Sequence, residues 1–140
     1  IMLTDEGEWT KHLLHPSYFV EREYAVVLRG YIDEYQGNDL VDGIELDEGL
    51  ATLVDLRPAT NVEAARLDEP QGPRLTWYRA VLTQGWKRQV RRMFATVGAP
   101  VERLVRVRIG TLRLDDLAPG EVRQLTSAER DRLAATRVTR

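Results

Sequence analysis

The 140-residue chain has no cysteine. Disulfides, thiolate zinc sites and thiol nucleophiles are therefore excluded, and a reducing compartment is fitting. Histidine is nearly absent as well. His12 and His15 stand three apart, a spacing that can hold a metal, but no third ligand cluster lies near them in sequence, so no metal is expected. No apolar run approaches the length of a membrane span. A signal peptide is not expected either, because Ile1 to Thr4 run straight into Asp5 and Glu6. The chain lacks a Gly-rich phosphate loop, a GKS or GKT motif and a Ser-His-Asp arrangement. Asp115 and Asp116 read as a turn pair and not as an acid–base pair. Internal repeats and low-complexity tracts are missing too.

What is present is a strong separation of charge. The formal net charge of -2 hides it. Residues 1–73 hold sixteen acids and five basic residues. Between Trp86 and Arg113 stand Lys87, Arg88, Arg91, Arg92, Arg103, Arg106, Arg108 and Arg113, against the single acid Glu102. One concentrated basic region on a mildly acidic chain points to a polyanion held at a defined place. The bland reading of such a run is a solvated charged face.

The length suits one core and one domain, residues 1–140. Asp5 to His15 reads as a helix, capped by Thr4 or Asp5 and stopped by Pro16, with Trp9, Leu13 and His12 facing inward. Residues 22–29 alternate as a strand, with Tyr24, Val26 and Leu28 on one face. Asp33 to Ile44 is ambiguous and could be a weak exposed helix. Leu50 to Leu56 reads as a second strand, Asn61 to Leu67 as a short third, Asp68 to Pro73 as a turn, and Leu75 to Thr83 as another strand. Lys87 to Val97 is the best-defined helix. Val90, Met93, Phe94 and Val97 form its apolar stripe, Arg88, Arg91 and Arg92 cluster beside it, and Gly98 and Pro100 end it. Val101 to Ile109 alternates as a strand, with Val105, Val107 and Ile109 on one face and Leu104, Arg106 and Arg108 on the other. Ala118-Pro119-Gly120 is a turn. A last helix starts at Thr126, with Glu129 at capping-box distance. Strands outnumber helices and no connection demands a parallel crossover. The fold class is α+β with a largely antiparallel sheet flanked by helices.

On this reading the arginine helix and the Arg106/Arg108 strand face form two sides of one groove. About four phosphate contacts would weaken nucleic-acid binding roughly a hundredfold between about 50 and 200 mM salt. Arg91 lies beside the apolar stripe, so its guanidinium could point inward at a carboxylate or merely lie on the surface. Tyr24 is either a core tyrosine or a ring that stacks under an extruded base. Composition does not choose between these.

The stretch GWKRQVRRMFATVG, followed by RLVRVRIGTLRL and LAPGEVRQLT, resembles the C-terminal signature of the pseudouridine synthases that modify bacterial ribosomal RNA. The branch comprises the A type of the small ribosomal subunit, together with the B, E and F types of the large one. LTDEGEWTKHLLHPSYFVEREYAVVLRG is similar to the same branch, whose pattern is L-T-N-D-G, then L-L-H-P-S, then K-E-Y-x-V. Residues 31–73 match only loosely.

The resemblance implies a pseudouridine synthase-like fold, incomplete at its N-terminus, and a cytoplasmic, cofactor-free isomerase that converts uridine to pseudouridine in ribosomal RNA. Its partner is that RNA, with no membrane and no small-molecule cofactor. Carried over by position, Tyr24 stacks on the target base and Arg91 pairs with the catalytic aspartate. Leu112 or Ile109 walls the pocket. Lys87, Arg88, Gln89, Arg92, Arg106 and Arg108 contact RNA. The family's nucleophile lies in G-R-L-D-x-x-T-x-G-L-L, upstream of L-T-N-D-G. This chain is expected to begin inside the end of that segment, without the aspartate and without the S4 module that often precedes it. Asp5 matches the Asn of L-T-N-D-G and is not the nucleophile. Trp86 stands where an arginine is usual. The alternative is a non-catalytic RNA-binding module of the same fold. A DNA-groove binder is weaker, since no dimerisation heptad accompanies the basic helix.

Overall fold

The computed structural model describes residues 1–67 and 74–135. The turn expected at Asp68 to Pro73 lies outside the described residues. Helix α1, Gly7–Leu14, starts two residues later than expected, with Glu6 at its N-cap position and no side-chain cap. The Thr4 hydroxyl accepts the Glu6 N–H instead (3.1 Å). Pro16 opens a 3-10 turn, and strand β1, Arg22–Arg29, follows. The ambiguous acidic stretch is helix α2, Glu34–Asp42. A reciprocal Asp33/Gln36 capping box starts it, and the fully buried Leu40 anchors it to the core.

The strand expected over Leu50 to Leu56 is broken. Strand β2, Ile44–Leu46, pairs with β3, Gly49–Ala51, and a separate strand β4 covers Asp55–Pro58. The break has a cause in the backbone bonds. The Thr52 N–H goes to the Gln84 side chain (3.1 Å) and the Leu53 N–H to the Leu40 carbonyl (3.1 Å), so neither is free for a ladder. Residues 61–67 are not a strand either. Helix α3, Asn61–Ala65, stands there because Thr60 and Glu63 form a capping box. Strand β5 is Leu75–Leu82.

Helix α4, Gln89–Thr96, begins after Arg88, which sits at the N-cap position with φ 51. Strand β6 is Val101–Ile109, strand β7 is Leu112–Arg113, and helix α5 is Ser127–Ala134 with the expected Thr126/Glu129 box. The five main strands form one antiparallel sheet in the order β4-β5-β1-β6-β7. The fold is α+β, as expected. Pro58 is tolerated because β4 is an edge strand.

Direct cross-strand partners share a face, so register decides what lies where. Arg22, Tyr24, Val26 and Leu28 face the helices. Val26 and Leu28 pack with Val90, Met93 and Phe94 of α4 and with Leu40, Leu53 and Leu82 in the main core. Leu13, Val20 and Leu133 form a second cluster at the other end of the same face, backed by Ile109 and Leu112.

The opposite face carries an ionic ladder. Arg57 grips Glu63 with two bonds (2.7 and 2.9 Å), and Arg79 bridges Glu63 (3.5 Å) and Glu23 (2.7 Å). Arg108 donates to Glu23 (3.1 Å) and Glu21 (3.3 Å). The Arg79 and Glu23 side chains are each only 9% exposed. Burial alone would raise the Glu23 pKa, but hydrogen bonds and charge from Arg108 and Arg79 outweigh it and hold the carboxyl below its ordinary range.

Two outcomes follow for stability. Glu23→Ala strands two arginines beside a buried strand and lowers unfolding free energy by about 3–5 kcal/mol in urea titrations. Glu63 is held at a pKa of about 2, first by its bond from Arg57. Its folded value lies below the unfolded one, so its stabilisation is full above about pH 5 and is lost as pH falls towards about 2. Glu63→Gln therefore lowers Tm at about pH 6, and the gap to the parent chain closes on acidification through that window.

Candidate functional site

The site starts from an irregularity in β6. Glu23 pairs with Arg108 while Tyr24 pairs with Arg106, so Val107 is an extra residue and the strand is bulged. The bulge reverses the alternation. Arg106 joins Tyr24 on the helix-covered face, and Arg108 joins Glu23 on the other. This corrects the expectation that Arg106 and Arg108 share one face. It also brings Ile109 onto the Tyr24 face, directly opposite Arg22, with Leu112 paired to it.

A strip of sheet is thus left between the two helical clusters. Half-buried Tyr24 and exposed Arg106 lie on it. Ile109 and Leu112 close one end, where they pack beneath α1 and α5. The α4 cluster closes the other, and Tyr24 packs against its margin.

The expected RNA contacts do not form one cluster. Lys87 and Arg88 are exposed, and neither makes an ion pair among the described residues. Gln89 is 3% exposed and works as an internal bracket: its amide donates to Gln84 (2.7 Å) and its oxygen accepts the Trp86 N–H (3.3 Å). Arg92 is clamped by Glu48 in two bonds (2.8 and 2.7 Å). Arg108 is held in the ionic ladder and by the Gly110 carbonyl (2.9 Å). Arg88 stands outside the helix, so the expected Arg88/Arg91/Arg92 face is divided three ways. Trp86 packs on the main core, not into solvent, and its ring lies near Gly49.

Arg91 is half-buried and donates to the Val101 carbonyl (3.3 Å). It has no carboxylate partner among the described residues. Val101 pairs with Leu28, four residues along β1 from Tyr24, which is about 13 Å of strand. Arg91 therefore stands at the α4 end of the strip, while Tyr24 lies on the strip itself. The two histidines have local partners: the His12 ring packs at a tilt against Tyr18 with centroids 4.5 Å apart, and His15 Nδ1 accepts the Ser17 N–H (3.2 Å).

Arg22 belongs to the strip and was not singled out from the sequence. It is 7% exposed, and it donates to the Leu13 carbonyl (2.9 Å) and the Thr83 carbonyl (3.4 Å). Burial lowers its pKa, the Tyr24 phenol opposes this, and the Arg106 charge adds to it. Extending the strand alternation from Tyr24 back two residues would have found it.

No protein-family profile matches the chain. Individual proteins do. A ribosomal large subunit pseudouridine synthase B of Pseudomonas aeruginosa is 35% identical over 135 residues, 96% of this chain and 33% of that protein. The Salmonella typhi protein of the same name is 38% identical over 81% of this chain and 36% of its own length. An RNA pseudouridine synthase of Mycobacterium bovis is 37% identical over 92% of this chain and 47% of its own. The chain thus spans about a third to a half of the curated relatives it matches. A solved structure described as a pseudouridylate synthase superposes with a TM-score of 0.73 at 27% identity, covering 93% of this chain and 52% of that one. Sequence over nearly the whole chain and the five-stranded sheet with its helices agree: the chain belongs to the pseudouridine synthase family.

Proposed function

We propose that the protein containing this chain isomerises uridine to pseudouridine in ribosomal RNA, and that residues 1–140 serve as one domain carrying most of its substrate-binding face. The observation that carries this is the strip itself: an aromatic ring flanked by cations and apolar walls, on a sheet whose opposite face holds Arg57, Arg79 and Arg108 in ion pairs. Tyr24 receives the extruded uracil, since a half-buried ring against an apolar margin stacks on a base without needing its identity. Ile109 and Leu112 wall the pocket. Of the expected contacts, Lys87, Arg88 and Arg106 are the cations left to meet the RNA backbone. Arg92, Arg108 and Gln89 contribute by holding the scaffold.

Chemistry at the glycosidic bond needs a nucleophile, and the family supplies an aspartate. No described carboxylate is paired with Arg91, whose bond to a carbonyl is one it can exchange for a charged partner. Arg91 positions that aspartate, and the 140-residue chain binds RNA without turning it over. The reaction needs no cofactor and takes place in the cytoplasm, where ribosomal RNA is the partner. Among the described residues no helix is long and apolar enough to cross a membrane.

Tritium release from RNA carrying 5-tritiated uridine tests the assignment in the protein's complete reading frame. Arg91→Met and Tyr24→Ala each reduce turnover on the order of a hundredfold. Parental rates in both would refute these roles. Retained RNA binding with no release from the parent would leave the non-catalytic RNA-binding reading instead. Salt dependence tests the cations separately. Lys87→Gln with Arg88→Gln reduces the slope of log affinity against log salt by about 1.4, two single-strand contacts. An unchanged slope removes them from the interface.

A further inference from the structure

We propose that Arg22, Arg106 and the backbone at Gly85 form a binding site for one phosphate group of the RNA chain, beside the base platform of Tyr24. The inference rests on the reading of that face as an RNA-binding one, and goes beyond it by naming a subsite and its ligand.

Arg22 is the exception among the buried cations of the sheet. Arg79, equally buried, has Glu23 and Glu63; Arg108 has Glu23 and Glu21. Arg22 has two carbonyl oxygens and, among the described residues, no carboxylate. Carbonyls satisfy its N–H groups without neutralising its charge. On the same face, at the next cross-strand pair, lies another arginine, Arg106, opposite Tyr24, and its charge adds to burial in lowering the Arg22 pKa. Two guanidinium groups that repel one another, one of them buried, make a site complementary to an oxyanion.

Gly85 supplies the opening. It is exposed, and its φ lies outside the left-handed region, so the backbone there does not require glycine. What glycine provides is space: a Cβ at this position would lie 3.6 to 3.7 Å from the Arg22 guanidinium. Without it, an anion can approach the guanidinium and the chain backbone together. Tyr24 is two residues along the same face of β1, about 6–7 Å away. A base on the ring and its own phosphate on Arg22 are within reach of a single nucleotide. That neighbour favours phosphate over a free carboxylate.

The test uses the 140-residue chain and nitrogen-15 NMR of the Arg22 side chain and the Gly85 amide. Uridine 5′-monophosphate, uridine, inorganic phosphate and acetate are titrated in parallel. The expected result is that the nucleotide and inorganic phosphate shift Arg22 and Gly85, uridine shifts only residues around the Tyr24 ring, and acetate shifts neither signal. Gly85→Val covers the guanidinium and weakens nucleotide binding at least about tenfold, with uridine binding retained. Arg106→Gln weakens it severalfold. Both substituted residues are exposed, so the fold is preserved, as the amide spectrum verifies.

Equal binding of uridine and its monophosphate, an acetate response matching phosphate, or nucleotide binding indifferent to Gly85→Val would each overturn the proposal. Arg22 would then be only a tie between α1 and β5. Failure of the broader RNA reading looks different: phosphate still titrates Arg22, while uridine leaves Tyr24 untouched.

Discussion

The site depends on a single extra residue in a strand pairing. Val107 has no partner on β1, and this flips the side-chain alternation of β6 between Arg106 and Arg108. With a regular strand both arginines would face the helices, and Glu23 would lose one of its two cations. The buried carboxylate would then rest on Arg79 alone. The bulge solves both problems in one step. It hands Arg108 to Glu23 and Glu21, and it leaves Arg106 on the face that bears Tyr24. Bulges bend and twist the strand that carries them, which suits a sheet that must open between two helical clusters.

Separation of charge along the sequence becomes cross-pairing in space. The acids that neutralise the basic half come from the acidic half: Glu48 for Arg92, Glu21 and Glu23 for Arg108, Glu23 and Glu63 for Arg79. Arg103 lies over the Trp77 ring at 5.8 Å. The basic surface is consequently narrower than the count of arginines suggests. A run of like charge shows that a counter-charge is needed, and the fold decides whether the protein or a ligand provides it. A pair formed inside the protein is part of the scaffold, since removing one partner leaves the other uncompensated.

Much of the fold was legible because it follows short-range rules. The apolar stripe of α4, the stop at Gly98, the alternation of β1 and the Thr126/Glu129 box are all set by residues within one or two turns of each other. The same rule was available at Thr60 and Glu63, but a five-residue helix gives too little periodicity to outweigh a branched and apolar stretch read as strand. The interruption between Ala51 and Asp55 was not legible, because the partners of the Thr52 and Leu53 amides lie on α2 and near α4. The bulge was invisible for the opposite reason. Val105, Arg106, Val107 and Arg108 alternate perfectly, and only the register of the neighbouring strand reveals the slip.

Arg22 shows what one-dimensional reading conceals. In sequence it sits between Glu21 and Glu23, the arrangement in which a charge looks most fully answered. Strand geometry sends both neighbours to the other face, where they serve Arg108 and Arg79. The guanidinium is therefore isolated from the carboxylates closest to it along the chain. The same period that builds the ladder on one face withholds its counter-ions from the other. A surface that satisfies its own charges has little left for a polyanion. By assigning these acids to one side, the sheet leaves Arg22 and Arg106 without an acidic partner among the described residues where the aromatic ring lies.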